Sequence, residues 1–401
     1  MGDDWRRYPF ELVPGDPHFV FPAAEANHPA CESDTWFLAG ELTGDSDRKF
    51  AFLTIFNKNR PGQAIVADFY TLALFDLDNG TYGTYTDYDM PSTTKNSDVP
   101  PKLTVVDEHL DLTYDSGVGT AVWRTCRDEA GELLPYTYDV TFCGTDQDGA
   151  EMRLDLRVTP SRAPVPLGAA AYNGVVECFG QATTYSYFQT GMTMTGTLSW
   201  GPVAENVTGT TGHVDRQWFP LVANDGGGTG DIRFRAHEWR TINLDNDVDL
   251  SIWRQFDRTN GNALQPFSGA TTSSPDADPE YADDIEVTVT SYVRWPESIR
   301  TLVPPPAKAR FMPDRHRLTS RKLDLDLTGE PLVPAPAHGL PLEYMEGPYR
   351  YRGTFRGEPV SGFAFYERSL ALYRAWELAD VLDAAEPGER EEVARLIEEQ
   401  R

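Results

Sequence analysis

One heptad near the middle of the chain, Gly212-His213-Val214-Asp215-Arg216-Gln217-Trp218, gathers more potential chemistry than any other stretch. Successive side chains of a β-strand point to opposite faces. His213, Asp215 and Gln217 would therefore share one face, and Val214, Arg216 and Trp218 the other. A carboxylic acid in an apolar setting has its pKa raised and can stay protonated near neutral pH, which makes Asp215 the candidate general acid. His213, two residues earlier, can relay a proton or position a water molecule. The rings of Tyr185, Tyr187, Phe188, Trp200 and Trp218 offer π faces to a developing cation. Trp36, Trp239, Gln217 and the early-strand carboxylate Glu41 complete the candidate binding set. A plainer reading stands beside this one. An Asp-Arg dipeptide near a strand end often makes a structural ion pair, lone tryptophans are often core, and Arg216, opposite Asp215, reads as structural.

The elements that must hold these residues read as strands. Met192, Met194, Gly196, Leu198 and Trp200 alternate with Thr193, Thr195, Thr197 and Ser199, the period of a strand with two unlike faces. A turn through Gly201-Pro202 and Asn206 follows, and the chain re-enters at Val207-Thr208-Gly209. Upstream, Thr35–Leu42 and Lys49–Phe56 read as a hairpin about Gly44-Asp45-Ser46-Asp47. Gln63–Phe75 reads as another strand and Asp76–Asn96 as a polar, Tyr-rich loop. Short strands are predicted at Leu103–Val106, His109–Tyr114, Thr120–Arg124, Tyr136–Phe142 and Met152–Val158, punctuated by Asp/Gly turns. A second series covers Ile232–Leu244, Val248–Phe256, Ile285–Trp295, Arg317–Leu327, Glu343–Phe355 and Val360–Phe365. The one good helical pattern places Leu370, Tyr373, Trp376 and Ala379 on one face of Glu367–Ala385. It breaks at Pro387-Gly388 and resumes over Glu389–Glu399 with Val393, Leu396 and Ile397.

Such antiparallel meanders protect their edges by closing into barrels or stacking sheets. At 401 residues, two domains are the natural expectation. The expected division is an irregular arm over 1–33, β domains over 34–225 and 226–366, and a helical tail over 367–401. The glycine run Gly226-Gly227-Gly228-Thr229-Gly230 lacks the Lys-Ser/Thr and following helix of a phosphate cradle, so it reads as a linker or hairpin tip.

The formal net charge of −27 disfavours nucleic acid and anionic lipid as partners. The four cysteines, Cys31, Cys126, Cys143 and Cys178, have no CxxC spacing. They read as reduced thiols, with a Cys126–Cys143 pair left open. His237-Glu238 has no third ligand at a sensible spacing, so no metal is expected. No GxSxG elbow, Walker loop or HExxH is present. The charged, proline-rich start has no signal-peptide h-region, and no apolar run reaches membrane-spanning length. A cytoplasmic protein without integral membrane association is expected.

Several of these segments resemble a known family. Trp36-x-x-x-Gly40-x-Leu42, the Tyr185-Ser186-Tyr187 to Gly196 segment, and Val207-x-Gly209-x-x-Gly212-x-x-Asp215-Arg216-Gln217-Trp218 are similar to the carotenoid hydratase (hydroxyneurosporene synthase) and AttH-like superfamily. Arg352-Gly353-Thr354-Phe355-x-Gly357-x-Pro359-Val360-Ser361-Gly362-x-Ala364-x-x-Glu367 is similar to its closing strands. The resemblance spans about Trp36 to Glu367, and the Asp-Arg-Gln-Trp block is its most specific part. Phe219-Pro220 replaces the usual glycine after the motif tryptophan, and His213 stands where an aromatic residue is common. The resemblance implies an all-β protein of two lipocalin-like antiparallel barrels with a short helical tail and a pocket for a hydrophobic small molecule. It further implies an enzyme without a cofactor, acting on an isoprenoid or polyene by acid-initiated hydration or cyclisation from Asp215. Members also include fungal relatives of the Diels–Alderase type, so pericyclic folding of a polyketide or polyene is the second expectation. A lipocalin-like carrier of an apolar molecule is the third.

Overall fold

The computed structural model describes residues 3–59, 67–89, 100–178, 181–220, 235–258, 268–305, 310–372, 374–385 and 387–399. The expected glycine-run linker at 226–230 lies outside them. The chain divides into two compact units, Met1–Gly228 with Ser273–Glu280, and Thr229–Thr272 with Tyr281–Arg401.

The first unit is built on one large antiparallel sheet, beside a two-stranded ribbon of Phe10–Glu11 and Val20–Phe21. Its principal strands are β1 (Cys31–Gly44), β2 (Lys49–Asn59), β3 (Asp68–Asp76), β4 (Thr81–Asp89), β5 (Leu103–Val105), β6 (Asp111–Ser116), β7 (Gly119–Arg127), β8 (Leu133–Thr145), β9 (Glu151–Pro160), β10 (Gln181–Gln189), β11 (Met192–Trp200) and β12 (Val203–Pro220). Their order is β4-β3-β2-β1-β12-β11-β9-β8-β7-β6-β5, with β10 also paired to β12. The sheet curls until β3 meets β8. There the Tyr70 hydroxyl accepts from the Cys143 N–H at 3.1 Å and donates to the Cys143 carbonyl at 3.0 Å. The alternating strands drive this closure, because one face of each must leave water. Trp36, Leu38, Phe52, Tyr70, Trp123, Tyr138, Leu154, Leu156, Met194 and Val214 all project into one continuous core.

The second unit repeats the scheme with β13 (Arg235–Leu244), β14 (Asp249–Asp257), β15 (Gly269–Ser273), β16 (Glu286–Arg294), β17 (Phe311–Ser320), β18 (Leu325–Pro331), β19 (Tyr344–Phe355) and β20 (Glu358–Ser369). These run β15-β14-β13-β20-β19-β18-β17-β16 around a core that includes Ile242, Ile252, Leu318, Leu327, Tyr349 and Tyr366. Helices α1 (Ala375–Ala384) and α2 (Pro387–Glu399) follow.

Several expectations need correction. The predicted loop Asp76–Asn96 contains β4, which pairs along its whole length with β3; positions 90–96 lie outside the described residues. Positions 63–66 of the predicted Gln63–Phe75 strand also lie outside them. Asn206 is not a turn residue: the turn closes at Gly201-Pro202, and β12 runs unbroken through it. Arg317–Leu327 is two strands, because the chain reverses at Asp324 with φ +46°. Glu367–Ser369 finish β20 rather than open a helix, and Pro387 begins α2, where its missing N–H costs nothing. Leu378 and Val381 form the buried stripe of α1, while Trp376 is 38% exposed. Cys31, Cys126 and Cys143 are free thiols, so the open Cys126–Cys143 bridge is absent. The segment before β1 is short turns and a two-stranded ribbon rather than long strands, and of the aromatics the sequence offers for burial there, Trp5, Phe19 and Phe21 are buried in the first core.

Candidate active site

β12 is 18 residues long and serves two partners in turn. Met194–Trp200 of β11 pair with its first half, and Tyr185–Gln189 of β10 with its second. A register shift between Thr208 and Thr211 marks the change, and β1 pairs along the other edge. Asp215 therefore sits between Phe37 and Phe188, and Arg216 between Trp36 and Tyr187.

The alternation read from the sequence is present, but the barrel interior belongs to the other face. Val214 and Trp218, with Trp36 and Tyr187, are members of the interior core. His213, Asp215, Gln217, Phe37 and Phe188 point away from it. His213 is 2% and Asp215 9% exposed, with His213 Nε2 3.4 Å from Asp215 Oδ2. Burial pushes the His213 pKa down to about 3, so its imidazole is neutral at pH 7. It stacks on Phe37 at a ring separation of 5.3 Å. Glu41 is half-buried on this same outward face of β1.

The interior face carries the denser chemistry. The Arg216 guanidinium donates to Asp34 Oδ1 at 2.9 Å and to the Ala26 carbonyl at 3.0 Å, and also to the Thr35 carbonyl. It lies over the rings of Trp36 at 4.2 Å and Trp218 at 5.6 Å. Burial would raise the pKa of Asp34, but Arg216, His28 and Lys58 outweigh it and hold this carboxyl well below the usual carboxylate range. Beside this neutralised pair lies Glu25, in a short turn over Ala23–Glu25 before β1. Tyr8 donates to Glu25 Oε2 at 2.5 Å, Tyr138 donates to Oε1, and Trp36 Nε1 donates to the Glu25 carbonyl at 2.9 Å. Burial pushes the Glu25 pKa up to about 7, against the lowering effect of Tyr138, Tyr8 and Arg216. Around it, Phe21 meets Tyr136 and Tyr187 edge-on, each at 5.0 Å. The hydroxyls of Tyr136 and Tyr187 and the indole N–H groups of Trp123 and Trp218 are buried with no hydrogen-bond partner. Folded proteins rarely tolerate such groups unless a ligand or water satisfies them.

The structure thus brings Trp36, Tyr187 and Trp218 of the predicted set to one interior site. Tyr185 stands at its edge, half-buried and stacked on His18 at 4.0 Å. Trp200 turns away to donate to Asp146 at 2.8 Å. Trp239 belongs to the second unit, where it packs edge-on against Trp253 at 4.6 Å. Sequence reasoning missed Glu25, Tyr8, Tyr136 and Tyr138. The available signal was a lone carboxylate inside the apolar run Phe19-Val20-Phe21-Pro22-Ala23-Ala24-Glu25-Ala26. Among the described residues, no three His, Cys, Asp or Glu side chains are grouped to hold a metal, and no helix is long and apolar enough to cross a membrane.

Two curled, barrel-like antiparallel sheets, one enclosing buried acid, tyrosine and tryptophan groups, define a two-unit, mostly β protein. The chain belongs to the AttH-like family, whose model matches residues 12–367. Solved structures share the fold. An AttH from Nitrosomonas europaea is 16% identical, with 90% of this chain and 100% of that one covered at a TM-score of 0.60. Kievitone hydratase from Nectria haematococca is 14% identical, with 91% and 98% covered at a TM-score of 0.63. No curated protein matches the sequence significantly.

Proposed function

We propose that this protein is a hydratase-type enzyme that adds water across a carbon–carbon double bond of an apolar small molecule inside the first barrel. The observation that carries this reading is a buried carboxyl, Glu25, among aromatic rings and unpartnered hydroxyls. Hydration needs an acid aimed at one carbon and an environment that tolerates the cation before water captures it. Glu25 gives its proton to the alkene, and the Phe21, Tyr136 and Tyr187 ring faces shield the positive charge. The Tyr136 and Tyr187 hydroxyls hold the water that attacks the second carbon. That water returns its surplus proton to the Glu25 carboxylate, so the acid is regenerated and no cofactor is consumed. Asp34 neutralises Arg216, which keeps the guanidinium charge from opposing the cation. The family membership and the fold shared with a hydratase agree with this class of reaction. An isoprenoid or a polyene is the substrate class we favour.

A second reading keeps Asp215 as the acid, favoured by its contact with neutral His213. One experiment separates the two. Purified wild type, Glu25→Gln and Asp215→Asn are incubated with acyclic isoprenoids, polyenes and kievitone in heavy-oxygen water, and products are weighed by mass spectrometry. The expected result is one heavy oxygen in the wild-type product, lost in Glu25→Gln and retained in Asp215→Asn. The reverse pattern moves the acid to Asp215. A product of unchanged mass and altered retention replaces hydration with cyclisation, and ligand recovered bound but unaltered from all three proteins makes the barrel a carrier.

A further inference from the structure

The interior of the second unit holds a different constellation, one with no part in the reaction proposed above. Arg240 of β13 is fully buried and lies over the Tyr366 ring at 4.3 Å. Its Nη2 donates to Glu238 at 3.1 Å and its Nε to His316 Nε2 at 3.1 Å. Because His316 Nε2 accepts that bond, its neutral ring carries the proton on Nδ1. Burial and the neighbouring Arg240 both hold the imidazole neutral. Tyr351 spends its hydroxyl on the same His316 nitrogen.

Three buried donors in this cluster have no hydrogen-bond partner: Arg240 Nη1, His316 Nδ1 and the Tyr349 hydroxyl. The residues that carry them are neighbours, since the His316 ring is 5.6 Å from the ring of Tyr349 and 4.6 Å from that of Tyr366, which Arg240 covers. Burial holds the Tyr349 phenol protonated, so it too can donate. The charge balance points the same way. Arg240 and Arg368 at 3.1 Å and the partly exposed Arg254 at 3.6 Å surround the carboxylate of Glu238; Arg368 also approaches Glu377, at 4.0 Å, and the Asp314 carboxylate acts on Tyr349. A buried site rich in donors and in positive charge is matched by an acceptor-only group of negative charge.

We propose that the second barrel is a binding site for a small carboxylate, held between Arg240 Nη1, His316 Nδ1 and the Tyr349 hydroxyl. The aromatic rings of Tyr349, Tyr351 and Tyr366 accommodate a small apolar body attached to it. Glu238 orients Arg240 and is not itself a ligand, because two carboxylates at one guanidinium edge would repel.

The test titrates formate, acetate and benzoate into the full chain by calorimetry, with benzyl alcohol as the neutral counterpart of benzoate. Tyr349→Phe removes only the unpartnered hydroxyl and is expected to fold with an unchanged or raised Tm. The expected result is one saturable site for at least one carboxylate, none for benzyl alcohol, and affinity about tenfold weaker in Tyr349→Phe. Glu25→Gln, in the first unit, is expected to bind the carboxylate as the wild type does. No saturable binding of any of the three acids overturns the proposal. So does binding that Tyr349→Phe leaves intact, or binding that disappears in Glu25→Gln. The first-barrel reaction can stand or fall separately, since neither Tyr349 nor Arg240 takes part in it.

Discussion

Glu25 carries a carboxyl whose charge is governed by its surroundings. In an unfolded chain it ionises near 4.5, and in the folded barrel burial moves that to about 7. Between these values the folded state holds a proton that the unfolded state has released, so stability falls as pH rises through this window and is level above it. A shift of this size is worth about 3 kcal/mol. His213 works in the opposite sense: its folded pKa lies below its unfolded value, so its contribution is complete above pH 6.5 and is lost as pH falls. The comparison with Glu25→Gln isolates the first effect. Measured by chemical denaturation, the variant should gain stability relative to wild type steadily from pH 4.5 to pH 7, by up to about 3 kcal/mol. A difference that stays constant over that range would show that Glu25 titrates normally. Catalysis adds a second readout, because a protonated Glu25 should be needed and the rate should decline above about pH 7. This residue was hard to read in the sequence for a physical reason. It closes a single helical turn of three residues, too short for any periodicity to announce a face, and only the tertiary fold brings Tyr138 to it.

At the scale of elements, β12 explains why its two faces were distinguishable in the sequence while the inner one was not. Period-two alternation separates Asp215 from Arg216, but residue type gave no way to rank the faces, because both are buried. Arg216 goes inward since Asp34, two backbone carbonyls and two indole rings receive it there. Strands with a plainly apolar face were readable. Met152, Leu154, Leu156 and Val158 of β9 are buried as their alternation predicts. The second barrel uses the same device as the first: Arg240 covers Tyr366 on the neighbouring strand, as Arg216 covers Trp36. The pairing of adjacent strands is also held tightly in both. A Cβ on Gly196 of β11 would stand 1.9 Å from the Asp155 carbonyl oxygen, and one on Gly353 of β19 would stand 1.9 Å from that of Asp326. Backbone cannot step aside as a flexible side chain can. Gly196→Ala should therefore cost about 3 kcal/mol or leave little folded protein, as read by circular dichroism melts. Gly117→Ala is the comparison for the loss of a glycine alone, since that turn position has no positive φ and open space around it. Equal melting temperatures for the two variants would remove the steric account.

Across the whole molecule, the formal charge of −27 acts on stability through self-repulsion. Screening should relieve it. Raising sodium chloride from about 0.01 M to about 0.15 M shortens the Debye length from about 30 Å to about 8 Å. The Tm should rise over that range, whereas a flat or falling Tm would mean that local ion pairs, such as Arg157–Asp139 and Arg317–Asp326, dominate the surface. The all-β architecture and the closing helices were readable from pattern alone. The meeting of Glu25 with Tyr8 and Tyr138 was not, because it depends on how the sheet curls.

The turn that carries Glu25 has a consequence for how such a protein changes over time. The acid is borne by a short connecting piece, while the chamber that receives it is built by β1, β8, β10 and β12. On the proposed reading the proton source is one side chain, while the mould is shared between these strands and Phe21 of the preceding segment. Replacing Glu25 alone would remove the reagent while Phe21 and the Ala26 carbonyl stay in place, and the same vessel, left without its reagent, would become a sheath for oily cargo. A lineage of such barrels could move between catalyst and carrier by editing a handful of codons.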